Sequence, residues 1–270
     1  MDHGRPALEL RGVGKTYPGT PPVVAVGDVS LDVHRGEIVT VVGPSGCGKS
    51  TVLHMIAGLL RPTTGEILVE GAPVGDRIPP RLGYMFQKDT VLPWYTVRQN
   101  TGLSLRYAGR RRDATDARVD ELLALGGLQR FGHLYPYQLS GGMRRRLALL
   151  MTLAAEPALL LMDEPFGALD THTKTRLHAE LLVIFRRLEQ TALFVTHDLS
   201  EAITLGDRVI VLSGPPSHVI LDQPVTLPRR RDVFTLRESD DFIACFKKVW
   251  HVLGQEFRAG EPDQLEAHPA

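Results

Sequence analysis

The sequence predicts an α/β fold: a mostly parallel core sheet with crossover helices, an antiparallel β segment at the N-terminus and a helical region inserted between strands. Short, continuous apolar runs recur at residues 37–42, 158–162, 192–195 and 208–212, as expected of strands buried on both faces of a parallel sheet. Helical stretches separate these runs, which is what parallel neighbours require of their connections. Residues 97–155 read as predominantly helical and are expected to form a subdomain inserted between strands.

Taken in order, residues 7–33 hold β-type runs, Leu8-Glu9-Leu10 and Val23-Val24-Ala25-Val26, broken by Gly and Pro. They predict small antiparallel strands. The run 37–42 ends in a Gly-rich loop, and a helical pattern follows over 49–60, so a buried strand feeds a helix. Beyond residue 227, Arg229-Arg230-Arg231 precede an amphipathic stretch, 240–253, and then a polar tail expected to fray. This layout predicts one domain over 7–240, with the helical insertion at about 97–155, followed by a C-terminal helix and tail over 241–270. No internal repeat or low-complexity segment interrupts it.

With 270 residues, 43% of them hydrophobic and 23% charged, the chain has the composition of a folded globular protein and the length for a large core. Its 31 basic and 31 acidic residues balance. No global field therefore favours a polyanionic partner, which argues against nucleic acid. The basic runs Arg110-Arg111-Arg112 and Arg144-Arg145-Arg146 are expected to be solvated helix faces or contacts within a dimer. Cys47 and Cys245 lie far apart and make no disulfide framework, which fits a reducing, cytoplasmic setting. Residues 1–6 carry charge and no apolar run, so no secretory signal is expected. The most apolar stretch, 147–162, is interrupted by Glu156 and Pro157, whereas a bilayer span needs about 20 apolar residues. A membrane role must therefore come through a partner.

Gly43-Pro44-Ser45-Gly46-Cys47-Gly48-Lys49-Ser50-Thr51 joins the first buried strand to its helix. Gly, four residues, then Gly-Lys-Ser/Thr in a strand-to-helix context is the phosphate-cradling pattern of the P-loop NTPases. Glycines let the backbone fold closely around phosphates, so that N–H groups and the positive helix end face the anion. Lys49 brings a mobile charge for the β- and γ-phosphates, and the Ser50 hydroxyl suits Mg²⁺. Cys47 reads as a small packing residue.

Leu159-Leu160-Leu161-Met162-Asp163-Glu164-Pro165 is an apolar strand that delivers two adjacent carboxylates at its end. Strand alternation is expected to send them in different directions. Asp163 would then hold the Mg²⁺ shell while Glu164 faces the γ-phosphate and orients or deprotonates water. An acidic pair at a strand end also serves as a helix cap or solvated turn, so this reading draws its weight from the phosphate loop upstream.

Leu139-Ser140-Gly141-Gly142-Met143, shortly before that strand, resembles the signature of the ABC family of ATPases. Ser140 can cap a helix whose free N–H groups, with Gly141 and Gly142 permitting close approach, make a second phosphate-binding surface. The resemblance implies that the signature of one copy closes over ATP held in the phosphate loop of another, in a head-to-tail dimer of two shared sites. It also implies that Tyr17 stacks on adenine, that Gln87 in Met85-Phe86-Gln87 reaches Mg²⁺ and the attacking water, that Ala168-Leu169-Asp170 is the D-loop, and that His197 in Val195-Thr196-His197-Asp198 is the switch histidine. Six motifs in family order cover about residues 8–253. Two departures stand out: Met143 replaces the commoner Gln, and residues 147–153 lack an Arg that many relatives carry. Activity is expected to survive both, because Ser140, Gly141 and Gly142 are the phosphate-facing positions.

The chain lacks the membrane region of fused exporters, the coiled coil of chromosome and repair ATPases, and the second cassette of twin-cassette translation factors. A stand-alone transporter subunit is therefore expected. Gln87-Lys88-Asp89-Thr90-Val91-Leu92-Pro93-Trp94, Glu164-Pro165-Phe166-Gly167-Ala168-Leu169-Asp170 and Arg208-Val209-Ile210-Val211-Leu212-Ser213 resemble the nitrate, sulfonate and taurine importer ATPases. That likeness implies transmembrane permease subunits as partners, a solute-binding protein further off, and a place on the cytoplasmic face of the membrane. An alternative is a non-transport regulator that uses ATP only to dimerise; Glu164 and His197 together favour the motor. The apolar Val91, Leu92, Pro93 and Trp94 are either packed inward or reserved for a partner, and the amphipathic Trp94 favours a permease groove.

Overall fold

The structure is a computed structural model that describes residues 5–88, 90–167, 169–228 and 231–260. Asp89, Ala168, Arg229, Arg230, residues 1–4 and the tail expected beyond residue 260 lie outside the described residues. Strands β1 (Leu8–Tyr17) and β2 (Val23–Val33) pair antiparallel, from Leu8 opposite Val33 to Tyr17 opposite Val23. They are ten and eleven residues long, not the short runs expected. Register shifts between Leu10 and Thr16 absorb Gly12 and Gly14, so glycine marks a bulge here and not a strand end.

The next element, β3 (Ile38–Val42), is buried at every residue and runs parallel to two neighbours. Helix α1 (Lys49–Ile56) follows the loop at its carboxyl end and is four residues shorter than its sequence pattern, because Gly58 takes a left-handed φ of 69° just beyond it. Strands β4 (Thr64–Val69), β5 (Ala72–Pro73) and β6 (Leu82–Met85) come next. Helices α2 (Val97–Thr101), α3 (Leu103–Tyr107), α4 (Arg112–Leu125) and α5 (Gly141–Ala154) then form the insertion before β7 (Leu159–Asp163). The chain continues through α6 (Thr171–Arg187), β8 (Ala192–Val195), α7 (Leu199–Leu205), β9 (Arg208–Leu212), β10 (Ser217–Pro224) and α8 (Asp240–Gly260).

One sheet of ten strands, in the order β5-β4-β1-β2-β10-β9-β3-β8-β7-β6, unites the two β regions. Strands β9, β3, β8, β7 and β6 are mutually parallel, whereas β1 pairs antiparallel with β2 and β4, and β10 with β9. Strands β4, β5, β6 and β10 had no clear apolar run. Alternation divides the core: Leu160 and Met162 of β7 pack with the inserted helices and α6, while Leu159 and Leu161 pack with β3, α1 and the antiparallel strands. Helix α8 outruns its predicted end at residue 253 and packs its apolar face on α7, β9 and β10.

The arginine run on α5 departs from expectation. Arg145 is buried, Arg146 donates to the Gly126 carbonyl at 3.1 Å and pairs with Glu180 of α6, and Arg144 donates to the Leu139 carbonyl at 2.8 Å. Helix α5 is covered by β6, α6 and its sister helices, so few of its faces reach solvent and its guanidinium groups are spent on internal carbonyls. Arg111 and Arg112 are solvent-exposed. No helix among the described residues is long and apolar enough to cross a membrane.

Gly65 ties the hairpin to β4: its φ is 76°, and a Cβ there would lie 2.2 Å from the Gly12 carbonyl oxygen. Gly65→Ala is expected to destabilise the protein by about 1–3 kcal/mol, read as a lower midpoint in urea denaturation.

Candidate functional site

The carboxyl end of β3 opens into the loop 43–48, where Gly46 and Gly48 adopt φ values of 78° and 95° that L side chains rarely take. Gly48 is the N-cap of α1, and no acidic residue occupies that helix's first turn, so no carboxylate of that turn competes for its N-terminal amides. Gly43 instead makes room for packing, since a Cβ there would meet the Cys47 sulfur and the Leu212 carbonyl oxygen, each at 2.8 Å. Cys47 is fully buried, and burial pushes its thiol pKa up, as suits a packing residue. Lys49 is only 7% exposed and donates from Nζ to the carbonyls of Gly43 (2.9 Å) and Pro44 (2.8 Å), which lays its charge across the loop. Pro44, Ser45, Ser50 and Thr51 line the same turn, with Ser45 and Ser50 exposed.

Asp163 shares the strand face of Leu159 and Leu161, toward α1, and its Oδ1 accepts from the Ser50 hydroxyl at 3.0 Å. Burial pushes its carboxyl above the usual range, against the lowering effect of Ser50. Glu164 lies beyond the strand, and alternation does not aim it. Its backbone turns left-handed, with φ 41°, while its N–H still donates to the Val195 carbonyl at 2.9 Å. A non-glycine residue held in that region carries strain of about 1–3 kcal/mol and needs surroundings that over-determine it. The turn points the carboxylate between two loops, where Oε2 accepts from Gln87 Nε2 at 3.2 Å and contacts His197 Nδ1 at 3.0 Å. Parallel register explains the meeting: Met85 lies opposite Met162 and Asp163 opposite Val195, so the segments that leave β6, β7 and β8 emerge side by side.

A buried polar network fixes the loop of His197. The Thr196 hydroxyl donates to one oxygen of Glu201, whose other oxygen lies 2.8 Å from Nε2 of His178 on α6. His178 is 1% exposed. The Asp198 N–H donates back to Thr196 Oγ1 at 3.0 Å, and Asp198 caps α7 by accepting from the Glu201 N–H at 3.1 Å. Neither His178 nor Glu201 stood out in the sequence; Glu201 three residues after a cap residue was the available signal.

The signature residues open α5. Ser140 is the N-cap, its Oγ accepting from the Met143 N–H at 3.3 Å. Gly142 is buried against α6, where a Cβ would lie 2.8 Å from Thr173 Cγ2. Its lack of a side chain serves helix packing, and Gly141, half-buried beside Leu169, stays nearer the surface. Asp170 caps α6 through the Thr173 N–H at 3.0 Å, which holds its carboxyl below the usual range. Among the described residues, no hydrogen bond ties the start of α5 to the phosphate loop. Tyr17 ends β1 with its ring partly exposed and Lys15 Nζ 5.5 Å from its centre.

Trp94 projects outward and is 67% exposed. Buried Asn100, unnoticed in the sequence, builds the loop beneath it: its Oδ1 accepts from the Leu92 N–H at 2.8 Å, and its Nδ2 donates to the carbonyls of Leu92 (3.1 Å), Tyr95 (2.9 Å) and Thr96 (3.1 Å). Val91 turns inward against the core while Trp94 is left outside.

The donor set suits Mg²⁺. Ser50 and Asp163 offer a hydroxyl and a carboxylate oxygen 3.0 Å apart, and the Tyr84 hydroxyl is buried without a hydrogen-bond partner in the neighbourhood of Asp163. Hard oxygen donors in small number match an ion that takes most of its shell from phosphates and water. Among the described residues there is no cluster of three or more His, Cys, Asp or Glu able to hold a metal without such help.

A loop for phosphates, a carboxylate bracketed by Gln and His, and a capped signature helix define a nucleotide-dependent phosphoryl-transfer cassette. The chain belongs to the ABC transporter family, which matches residues 26–167. It is 42% identical over 232 residues to the nitrate import ATP-binding protein NrtD of Synechococcus elongatus, covering 83% of this chain and 84% of that one. Over 270 residues it is 41% identical to NrtD of Synechocystis, covering 96% and 98% of the two chains. Among solved structures it is similar to the dimeric form of MJ0796, a bacterial ABC transporter cassette, with a TM-score of 0.70, 32% identity and coverage of 82% of this chain and 100% of that one. A second MJ0796 dimer, in a post-hydrolysis state bound to ADP and Pi, gives a TM-score of 0.69 and 30% identity over the same shares. This chain is thus an ATP-binding ABC cassette and an ATP hydrolase.

Asn100→Ala is expected to lower stability by about 1–3 kcal/mol, because it leaves the half-buried Leu92 N–H and the Tyr95 carbonyl without their side-chain partner, while the Leu92 and Thr96 carbonyls keep the backbone N–H groups of Tyr95 and residue 100. Urea denaturation reads that loss, and Trp94 fluorescence should report a loosened loop in the folded variant.

Proposed function

We propose that this chain is the motor subunit of a membrane importer, working as a head-to-tail homodimer on the cytoplasmic face of transmembrane permease subunits, with a small anion of the nitrate or sulfonate kind as cargo. The observation that carries the motor reading is Glu164, whose Oε2 lies within 3.2 Å of Gln87 and 3.0 Å of His197. The nitrate import relatives support the cargo class and the importer direction. A solute-binding protein would deliver the cargo to the permease. Within the chain we assign the ATPase domain to residues 7–240, with the helical insertion near 97–155, and treat 241–270 as a C-terminal segment whose helix packs on α7, β9 and β10.

In this reading the loop 43–48 and the amides of α1 bind the phosphates, Lys49 swings from its carbonyls to the β- and γ-phosphates, Thr51 lies in the same first turn, and Tyr17 stacks on adenine. Ser50, Asp163 and Gln87 would hold Mg²⁺, which when bound neutralises charge developing on the phosphates. Water attacks the γ-phosphorus in line, Glu164 orients it and accepts its proton, and the bond from γ-phosphorus to the bridging oxygen breaks to leave ADP and phosphate. His197, in contact with the same oxygen of Glu164, fixes the carboxylate's direction. Ser140, Gly141, Gly142 and the helix start that Ser140 caps, with Asp170 nearby, would close over ATP held by the second copy. The shared site is supported by the exposed cap of α5 and by the dimeric form of MJ0796.

Glu164→Gln is expected to slow turnover by roughly 10²–10⁴ with ATP binding intact, and ATP should drive it into a dimer on sedimentation that a further Ser140→Arg abolishes. Wild-type turnover in Glu164→Gln, or a dimer indifferent to Ser140→Arg, removes the assignment.

Trp94 supports the permease partner: a large aromatic side chain held outward by a loop with an internal scaffold is the kind of anchor interfaces use. Trp94→Ala is expected to leave the fold, ATP binding and basal hydrolysis of the isolated chain unchanged while weakening co-purification with the permease. A normal complex with the permease would place the docking surface elsewhere.

A further inference from the structure

Helix α5 carries the signature at its start, and one turn later it carries Arg145. The side chain is 5% exposed, reaching inward beneath both loops that meet at the candidate site. Its Nη2 donates to the Phe86 carbonyl at 2.7 Å, and its Nε donates to the Pro165 carbonyl. Phe86 immediately precedes Gln87, and Pro165 immediately follows Glu164. A guanidinium is costly to bury unless its donors are satisfied, and its planar fork fixes the spacing and direction of the groups it binds in a way a flexible ammonium does not.

We propose that Arg145 is a positioning residue that clamps the Gln87 loop and the Glu164 turn to the signature helix, so that a displacement of α5 moves both groups together. Arg145 binds backbone carbonyls, and its action on the reaction runs through the two side chains next to them. The strained left-handed turn at Glu164 gives the clamp its purpose. Such a backbone persists only under several constraints: the Glu164 N–H bond to Val195 supplies one, the Gly167 N–H bond to the Glu164 carbonyl another, and the Pro165 carbonyl held by Arg145 a third. On the other side, fixing the Phe86 carbonyl sets how far Gln87 reaches toward Glu164. Both ends of the 3.2 Å contact between Gln87 and Glu164 are thus anchored on one guanidinium. The same geometry links the two halves of the proposed shared site, since the end of α5 that would meet the second copy's nucleotide lies one turn from the clamp.

The inference rests on the reading that Gln87 and Glu164 handle the hydrolytic water, and the test separates the two. Arg145→Gln and Arg145→Lys are compared with Glu164→Gln in the full chain. Turnover is counted per site that binds a fluorescent ATP analogue, and amide hydrogen exchange is followed along the chain. Arg145→Gln should lose about 10- to 100-fold in kcat, the scale expected when catalytic groups shift by around 1 Å, with affinity for the analogue little changed. Exchange should rise at residues 85–87 and 166–167 while the segment around His197 stays protected. Arg145→Lys, which can still reach one carbonyl, should fall between, and guanidinium ion should restore part of the activity of Arg145→Gln. Wild-type kcat per binding site with only a lowered Tm would show a purely structural arginine and overturn the proposal, as would unchanged exchange in both loops. Should Arg145→Gln not fold, the same two readouts on Arg145→Lys decide the matter. Wild-type turnover in Glu164→Gln sinks the reading of the site itself, whereas an inactive Glu164→Gln beside a normal Arg145→Gln sinks only the clamp.

Discussion

The parallel register of β6, β7 and β8 is the constraint on which the rest of the site depends. Because Met85 lies opposite Met162 and Asp163 opposite Val195, three chain segments leave the sheet at one level and in one direction. Parallel sheets gather their carboxyl ends in this way, and ligand sites of open α/β folds lie there for that reason. Each segment then has a local device that turns one side chain to the common point. Gln87 is set by the run out of β6, Glu164 by a left-handed backbone, and His197 by a loop pinned through Thr196 and Glu201.

Around that point the polar groups are divided by role. The residues expected to meet nucleotide or water, Ser50, Gln87, Glu164 and His197, are at least partly open to solvent and share few partners. Those beneath them are buried and hydrogen-bonded: His178 with Glu201 through Nε2 while its Nδ1 has no partner, Asn100 with the Leu92–Thr96 backbone, and Arg145 with Phe86 and Pro165. Buried polar networks specify a single arrangement when their members are paired. An underlayer of this kind holds the loops that aim the outer groups.

The expectations that changed did so for related reasons. The arginines of α5 were expected on a solvated face or in contacts within a dimer, and of these the solvated face does not hold: the helix is enclosed on most sides and its arginines turn to carbonyls and to Glu180. Gly142 was read for its approach to phosphate, and its missing Cβ also leaves room for Thr173 of the neighbouring helix. Asp163 and Glu164 were expected to diverge by strand alternation. They diverge because the strand ends between them and the backbone reverses its handedness. In each case the residue type was legible and its neighbour was not.

Local chemistry alone determined the phosphate loop, since glycine spacing, Lys49 and Ser50 follow from what a close-fitting anion cradle requires over nine consecutive residues. It likewise determined the buried strands β3, β7, β8 and β9, whose runs admit no polar face, and the family, through motif order. Tertiary structure decided whatever depends on residues distant in the chain. The convergence of Gln87, Glu164 and His197, separated by 77 and 33 positions, exists only through strand pairing. Strands β4, β5, β6 and β10 form because a neighbour offers an edge, and not because their own residues insist on it. The outward aim of Trp94 and the inward aim of Arg145 were equally invisible, because side-chain direction on a loop or an enclosed helix is set by what packs against it, which is a property of the whole fold.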